Sequence, residues 1–168
     1  MFMDFEELTT PGSLQIIRDI AQSIWPETFS SILSPEQIKY MMNMMYAPEV
    51  MEKELAGGCH FEIVKIDHTP AGYFSWSPYS GANTAKLHKL YLLSDFHGKG
   101  IGSAMLRQVE KRVANAGFTV LKLNVNKYNE RAKKAYLRNG FAIEEAVKID
   151  IGNGFFMDDF VMVKKICR

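Results

Sequence analysis

Leu87-His88-Lys89-Leu90-Tyr91-Leu92-Leu93, followed by Ser94-Asp95 and then Phe96-His97-Gly98-Lys99-Gly100-Ile101-Gly102, is the stretch that decides how this chain is read. A strand pattern from Ala85 to Leu93 enters a glycine-rich loop, and a helix from about Gly100 to Ala116 leaves it. Ile101, Met105, Leu106, Val109 and Val113 form one stripe on that helix, and Gly117 stops it. Val120 to Val125 follows as a strand with Leu121, Leu123 and Val125 on one face. Strand, helix and strand in that order predict a right-handed crossover between parallel strands. Glycines at the turn let backbone N–H groups converge, and the helix N-terminus adds partial positive charge. Such a loop cradles an anion, best a phosphate or pyrophosphate, and Lys99 adds a mobile counter-charge at its mouth.

Two familiar phosphate loops do not fit. No G-x-x-x-x-G-K-[ST] run is present, and a dinucleotide fingerprint on Gly98 and Gly100 needs a third glycine where Ser103 stands. Working outward, Phe2, Phe5 and Leu8 alternate as an edge strand. Ser13 is a candidate N-cap for a helix carrying Leu14, Ile17, Ile20, Ala21 and Ile24, which Trp25-Pro26 is expected to close. Ser34-Pro35-Glu36-Gln37 starts a second helix with Ile38, Met41, Met42 and Met45 on one face. Pro48 restarts a short helix through Leu55, ended by Gly57-Gly58. Phe61 to Ile66 and Ala71 to Trp76 read as a hairpin. Asn129 to Asn139 is a helix ended by Gly140, and Phe141 to Ile151 and Phe155 to Lys164 form a hairpin about Gly152-Asn153-Gly154. The order, β-α-α-β-β-β-α-β-α-β-β with about four helices, predicts an α/β (α+β) domain with helices packed on a mixed sheet.

Composition bounds the function. The chain has 168 residues, one domain's worth, with Lys+Arg 20 against Asp+Glu 19 for a net charge of +1. That balance lacks the basic excess of a nucleic-acid binder. Apolar runs fall far short of the ~20 residues of a membrane span. Met1-Phe2-Met3-Asp4-Phe5-Glu6-Glu7 carries acids where a signal peptide carries bases, so a cytoplasmic location is expected. Cys59 and Cys167 are the two cysteines, without a Cys/His cluster, so no metal site is expected; two buried thiols or one long-range disulfide are both open. Five of the ten methionines lie between Met41 and Met51, a pattern of core or groove packing rather than of sulfur chemistry.

A second motif gives the loop its meaning. Asn129-Glu130-Arg131-Ala132-Lys133-Lys134-Ala135-Tyr136-Leu137-Arg138-Asn139-Gly140-Phe141 satisfies N-x-x-A-x-x-x-Y-x-x-x-G-F throughout, and residues 97 to 102 satisfy [QR]-x-x-G-x-[GA] except at His97. In both motifs the chain resembles the GNAT superfamily of acyl-CoA-dependent N-acetyltransferases, strongly over residues 87 to 141. The resemblance implies a seven-stranded, mostly antiparallel sheet in a single domain spanning the chain, with acetyl-CoA as acetyl donor. Backbone groups of Leu90, Tyr91 and Leu92 would pair with the pantetheine arm by strand addition at a splayed edge. N–H groups around Gly98, Lys99, Gly100, Ile101, Gly102 and Ser103 would hold the pyrophosphate. Asn124 and Asn129 would contact the cofactor, Asn129 also serving as N-cap. Tyr136 would lie near the thioester sulfur and protonate the leaving thiolate, a task a phenol of pKa ~10 can perform. His97 departs from the family's Gln or Arg and, when neutral, adds less charge to the pyrophosphate grip.

The acceptor amine must lose its proton before it attacks. His88, two residues before Leu90 and so expected on the same strand face, is the candidate base, with a reference pKa of ~6.5; a hydrogen-bonded structural His is the other reading. Trp25 to Phe29, Ser34 to Gln37, Met51 to Leu55 and the segment Asn153 to Lys164 look like the PaiA-type spermidine/spermine acetyltransferases. That likeness implies a small-molecule amine acceptor, with Trp25, Phe29, Trp76 and Asp158 in its groove and Tyr73 and Tyr79 nearby. Glu27, Glu49, Glu144, Glu145, Asp158 and Asp159 are the acids available to draw in a polycation. A protein N-terminal acetyltransferase, like those acting on ribosomal proteins, and a non-catalytic CoA-binding regulator share the same motifs. The resemblance is compatible with a homodimer.

Overall fold

The computed structural model describes residues 1–79, 81 and 83–166. Cys167 lies outside them, and Cys59 is a buried thiol. Seven strands form one sheet in the order β1-β2-β3-β4-β5-β7-β6, built from β1 (Met3–Leu8), β2 (His60–Ile66), β3 (Thr69–Pro78), β4 (Thr84–Leu92), β5 (Val120–Asn126), β6 (Ala142–Gly152) and β7 (Phe155–Lys165). Only β4 and β5 run parallel; every other neighbour is antiparallel. The five α-helices are α1 (Gln15–Phe29), α2 (Pro35–Tyr46), α3 (Pro48–Ala56), α4 (Ile101–Asn115) and α5 (Glu130–Arg138). Pro48 divides α2 from α3, as the sequence indicates.

Strand alternation gives the sheet two apolar faces with different covers. Phe74, Trp76, Leu87, Leu123 and Met162 pack with Met105, Leu106 and Val109 of α4 and with Tyr136 of α5. Phe61, Ile63 and Tyr73 pack instead with Ile17, Ile24 and Trp25 of α1 and with Met41 and Met51 of α2 and α3. The stripe expected on α4 is the set that is buried. Ser34 caps α2 as expected, its Oγ accepting the Gln37 N–H at 3.1 Å.

Two helix-end expectations fail. Ser13 sits inside a 3-10 turn from Pro11 to Leu14, where its Oγ donates to the Thr10 carbonyl (2.6 Å) and accepts the Thr10 N–H (3.3 Å). More consequentially, α1 continues through Pro26 to Phe29. A mid-helix proline costs ~3 kcal/mol. Trp25 and Phe29 flank it at 1% and 5% exposure, and burying two such side chains returns roughly 3–6 kcal/mol. Tertiary burial therefore outweighs the local rule, and the extra turn carries Phe29 to the site.

The sheet is split where it matters. β4 and β5 pair over Thr84–Leu87 and Val120–Leu123, and no pairing joins them further on. Past that point β4 runs from His88 to Leu92 against β3 alone. On the β3 side the register slips: Trp76 pairs with Leu87 and Ser75 with Lys89, leaving His88 as the unmatched residue of a β-bulge.

Candidate active site

One cleft, of about 300 Å³, opens between the diverging ends of β4 and β5 on the α4 side. Leu90 and Leu92 line it from β4, Val125 from β5, and Ala132 and Tyr136 from α5, with the loop from His97 to Ser103 at one end. Gly98 and Gly100 take φ of 76° and 78°, where a side chain is strained, and a Cβ at Gly98, Gly100 or Gly102 would meet no protein atom within 4 Å. The space a side chain would occupy is open cleft. The α4 N-terminus has no side-chain cap and no acid in its first turn. Its first N–H groups therefore have no capping side chain among the described residues and point their partial positive charge outward. This cradle fits the pyrophosphate of a CoA-type ligand.

The expected cofactor residues gather here with some shifts of role. Leu90, Tyr91, Leu92, His97, Gly98, Gly100, Ile101, Gly102, Ser103, Asn124, Asn129 and Tyr136 all border the cleft, whereas Lys99 is exposed with its ammonium 5.9 Å from the Phe96 ring centroid. Ile101 is 1% exposed, so its side chain belongs to the core and its N–H to the cradle. Asn129 caps α5 by accepting the Ala132 N–H at 3.3 Å. Asn139 donates to Ser103 Oγ (3.2 Å) and to the Ala135 carbonyl (2.8 Å), tying the end of α5 to the start of α4. His97 turns its imidazole back to β4, where Nε2 bonds the Leu92 carbonyl at 2.9 Å. The carbonyl accepts, so Nε2 carries hydrogen. His97 thus braces the loop against the strand rather than adding charge to the cradle.

Tyr136 is 8% exposed, and its ring meets Phe141 edge-on at 5.7 Å. No protein group bonds its hydroxyl among the described residues. Burial raises its pKa well above the ordinary phenol value.

A second cavity, of about 340 Å³, lies on the other face under α1 and α2. It shares Phe29, Leu87, His88, Lys89, Tyr91, Asn124 and Asn126 with the first, so the two meet at the split. Trp25 and Phe29 line this cavity. Met41, Met44 and Met45 line it too, while Met51 is wholly buried in the core.

Three expectations need correction. Trp76 is not in the acceptor groove: alternation along β3 places it on the α4 face, 3% exposed, stacked on His60 at 4.4 Å and edge-on to Phe118. Asp158 is not in it either. Its carboxylate pairs with Lys127 at 2.7 Å, and the next residue, Asp159, is the one that faces the cavity, 3% exposed. Of the acids expected to attract a polycation, Glu27, Glu49, Glu144 and Glu145 are all exposed and away from the cavity.

The third correction concerns His88. The bulge breaks the strand alternation, so it does not share the face of Leu90; its Nε2 bonds Ser77 Oγ at 2.7 Å. Burial, with Lys86 and Lys89 adding to it, lowers its pKa to about 4. The premise of a base titrating near neutrality fails. The same shift makes a stability prediction. Below pH ~6.5 the unfolded chain takes up a proton that folded His88 refuses, so its contribution is intact above that pH and is lost as pH falls toward 4. The expected difference is on the order of 3 kcal/mol between pH 7 and pH 4. Urea unfolding across that range should show a slope that His88→Asn flattens; equal slopes would contradict it.

The sheet thus splits between its two parallel strands, with an anion cradle on one side and a second cavity on the other. Residues 14–141 match the acetyltransferase (GNAT) family, and the chain belongs to it. It is 27% identical over 157 residues to the spermidine N(1)-acetyltransferase of Thermoplasma acidophilum, covering 90% of this chain and 91% of that one. A crystal structure of the PaiA N-acetyltransferase of Thermoplasma acidophilum, in complex with coenzyme A, superposes with a TM-score of 0.83 at 26% identity, over 98% of this chain and 99% of that one. The ribosomal-protein-S18-alanine N-acetyltransferase of Escherichia coli shares the fold, with a TM-score of 0.74 at 15% identity over 99% of this chain and 96% of that one. Among the described residues no group of His, Cys, Asp and Glu is placed to hold a metal ion, and no helix is long and apolar enough to cross a membrane.

Proposed function

We propose that the chain transfers an acetyl group from acetyl-CoA to a small primary amine by direct attack, with Tyr136 as the general acid. The observation that carries this reading is the split between β4 and β5, where the two cavities share residues of both strands. Bound acetyl-CoA would supply an activated thioester. The unpaired strand edge at Leu90 to Leu92 and the cradle from Gly98 to Ser103 would hold its arm and its pyrophosphate. As the amine nitrogen bonds the acetyl carbon and the C–S bond breaks, Tyr136 would give its phenolic proton to sulfur. The proton shed by nitrogen as the amide forms restores the phenol through solvent. Burial that raises the phenol also raises the basicity of a thiolate beside it, so the proton transfer stays favourable.

Spermidine is the acceptor named for the Thermoplasma relative and is the natural first amine to offer. The direct test is thiol release from acetyl-CoA with polyamines, amino acids, aminoglycosides and N-terminal peptides. Release that depends on the amine is expected. CoA binding with no release for any amine would favour a regulator instead.

A further inference from the structure

Resting on that acetyl-transfer reading, we infer that Asp159 is the general base of the reaction, its carboxylate taking the proton that the acceptor ammonium must lose before its nitrogen attacks. Tyr136 is assigned to the leaving group, so the nucleophile still needs a group that accepts a proton. His88, held at about 4 by burial beside Lys86 and Lys89, is too weak a base for that work. Two carboxylates line the second cavity, Glu54 and Asp159. Glu54 stands on α3, 3.6 Å from Lys89 Nζ and close enough to act on Tyr46 and Cys59. Asp159 stands at the split. It pairs with Asn126 of β5, past Leu123, the last β5 residue that pairs with β4. Its carboxylate has the Asn124 side chain as hydrogen-bonding neighbour, and Asn124 and Asn126 border both cavities. Tyr91 borders both as well, and its hydroxyl lies within electrostatic reach of Tyr136 and of Asp159. Acid and base thus flank one gap, Tyr136 from α5 and Asp159 from β7.

The setting suits a base. Asp159 is only 3% exposed, and burial raises its pKa above that of an ordinary aspartate, with Asp158 adding to the rise. Asn124 and the ammonium groups of Lys86 and Lys127 pull the other way and favour the ionised form, which is the form that accepts a proton. Lys127 pairs with Asp158 at 2.7 Å, and Lys86 holds its ammonium 5.0 Å from the Tyr79 ring centroid. A substrate ammonium brought against the Asp159 carboxylate is disfavoured by the same burial, so passing its proton to the carboxylate removes two buried charges at once. The neutral nitrogen then bonds the acetyl carbon, the C–S bond breaks and Tyr136 protonates sulfur. The second proton of the nitrogen leaves as the amide forms and restores the phenol through solvent. Asp159 gives its own proton to solvent as the product departs. One ammonium and one thioester become one amide, one thiol and one released proton.

The test follows thiol release from acetyl-CoA by the full chain between about pH 7 and pH 9, with spermidine and n-hexylamine, read on whichever reacts faster. A primary ammonium has a pKa of ~10, so an enzyme that binds this form and removes its proton holds kcat/KM level across the window. His88, at about 4, and Tyr91 and Tyr136, raised above the ordinary phenol, do not titrate there. Asp159→Asn must take free amine from solution. Its kcat/KM is expected to fall by about 100-fold or more at pH 7 and to climb about tenfold per pH unit, with CoA affinity and melting temperature kept. Glu54→Gln keeps the level profile. A tenfold climb per unit in the wild type overturns the inference whether or not the variants fold. A level profile in Asp159→Asn, or its loss in Glu54→Gln, also overturns it, and each of these leaves acetyl transfer in place. Absence of release with every amine overturns acetyl transfer itself.

Discussion

Tyr136→Phe is expected to lower kcat by about 100- to 1,000-fold while leaving CoA affinity unchanged. General acid catalysis contributes ~10²–10⁴-fold, and removal of the hydroxyl removes the proton donor at the split. The fold should not suffer. The ring keeps its edge-on contact with Phe141, and the lost oxygen bonds no protein group among the described residues. The substitution therefore separates chemistry from packing, which most buried tyrosines do not allow. Thiol release under saturating acetyl-CoA, with CoA binding by calorimetry in parallel, checks it. An unchanged kcat would remove Tyr136 from the mechanism.

The second large effect is on the sheet itself. Gly72 of β3 lies against β4, and a Cβ placed there would stand 2.4 Å from the Tyr91 carbonyl oxygen and 3.2 Å from Leu92 Cα. The obstructing atoms are backbone, so no rotamer change relieves the clash. Overpacking of this kind costs ~1–3 kcal/mol, and the hard backbone contact puts Gly72→Ala at the upper end. A loss of about 3 kcal/mol corresponds to a fall of roughly 6–12 °C in Tm for a domain of this size. β4 must also shift at Tyr91 and Leu92, the edge assigned to the pantetheine arm, so weaker CoA binding should accompany the lower Tm. A wild-type Tm would show that β3 and β4 approach less closely than the structure has them.

These two residues illustrate what was readable in advance. The place of Tyr136 beside the cleft was legible because it depends on a spacing within one helix, Asn129 to Phe141, which the chain carries unbroken. The element order and the stripe on α4 were legible for the same reason: each is a local periodicity. Gly72 was visible only as a glycine inside a strand, a sign of close backbone approach that names no neighbour. The facing of His88 and that of the Asp158–Asp159 pair escaped the sequence for different reasons. Facing in a strand follows simple alternation until a bulge intervenes, and the slip between Ser75 and Trp76 that displaces His88 leaves no local mark in the sequence. Along β7 the alternation is regular, but two adjacent acids give no sign of which one lines the cavity and which pairs with Lys127. Pro26 failed in the opposite way: the local rule was applied correctly, but the burial of Trp25 and Phe29 overrode it.

The methionine segment falls between these cases. Its helical face was evident, yet the division between Met51 in the core and Met41, Met44 and Met45 on the cavity wall depends on which helix faces the split. That division links composition to specificity. Of the acids noted as available to draw in a polycation, Asp159 is the one that faces the folded cavity, where Glu54 joins it beside Lys89.

The central claim is that acetyl moves from thioester to amine nitrogen across the gap between β4 and β5. Mass spectrometry of the products formed with acetyl-CoA labelled in its acetyl group, and with n-hexylamine and spermidine as acceptors, tests it most directly. The account predicts labelled N-acetyl amine in a one-to-one ratio with the CoA thiol released, and almost none from Tyr136→Phe in the same interval. Free labelled acetate in place of the amide, or bound CoA with no thiol released, would contradict it.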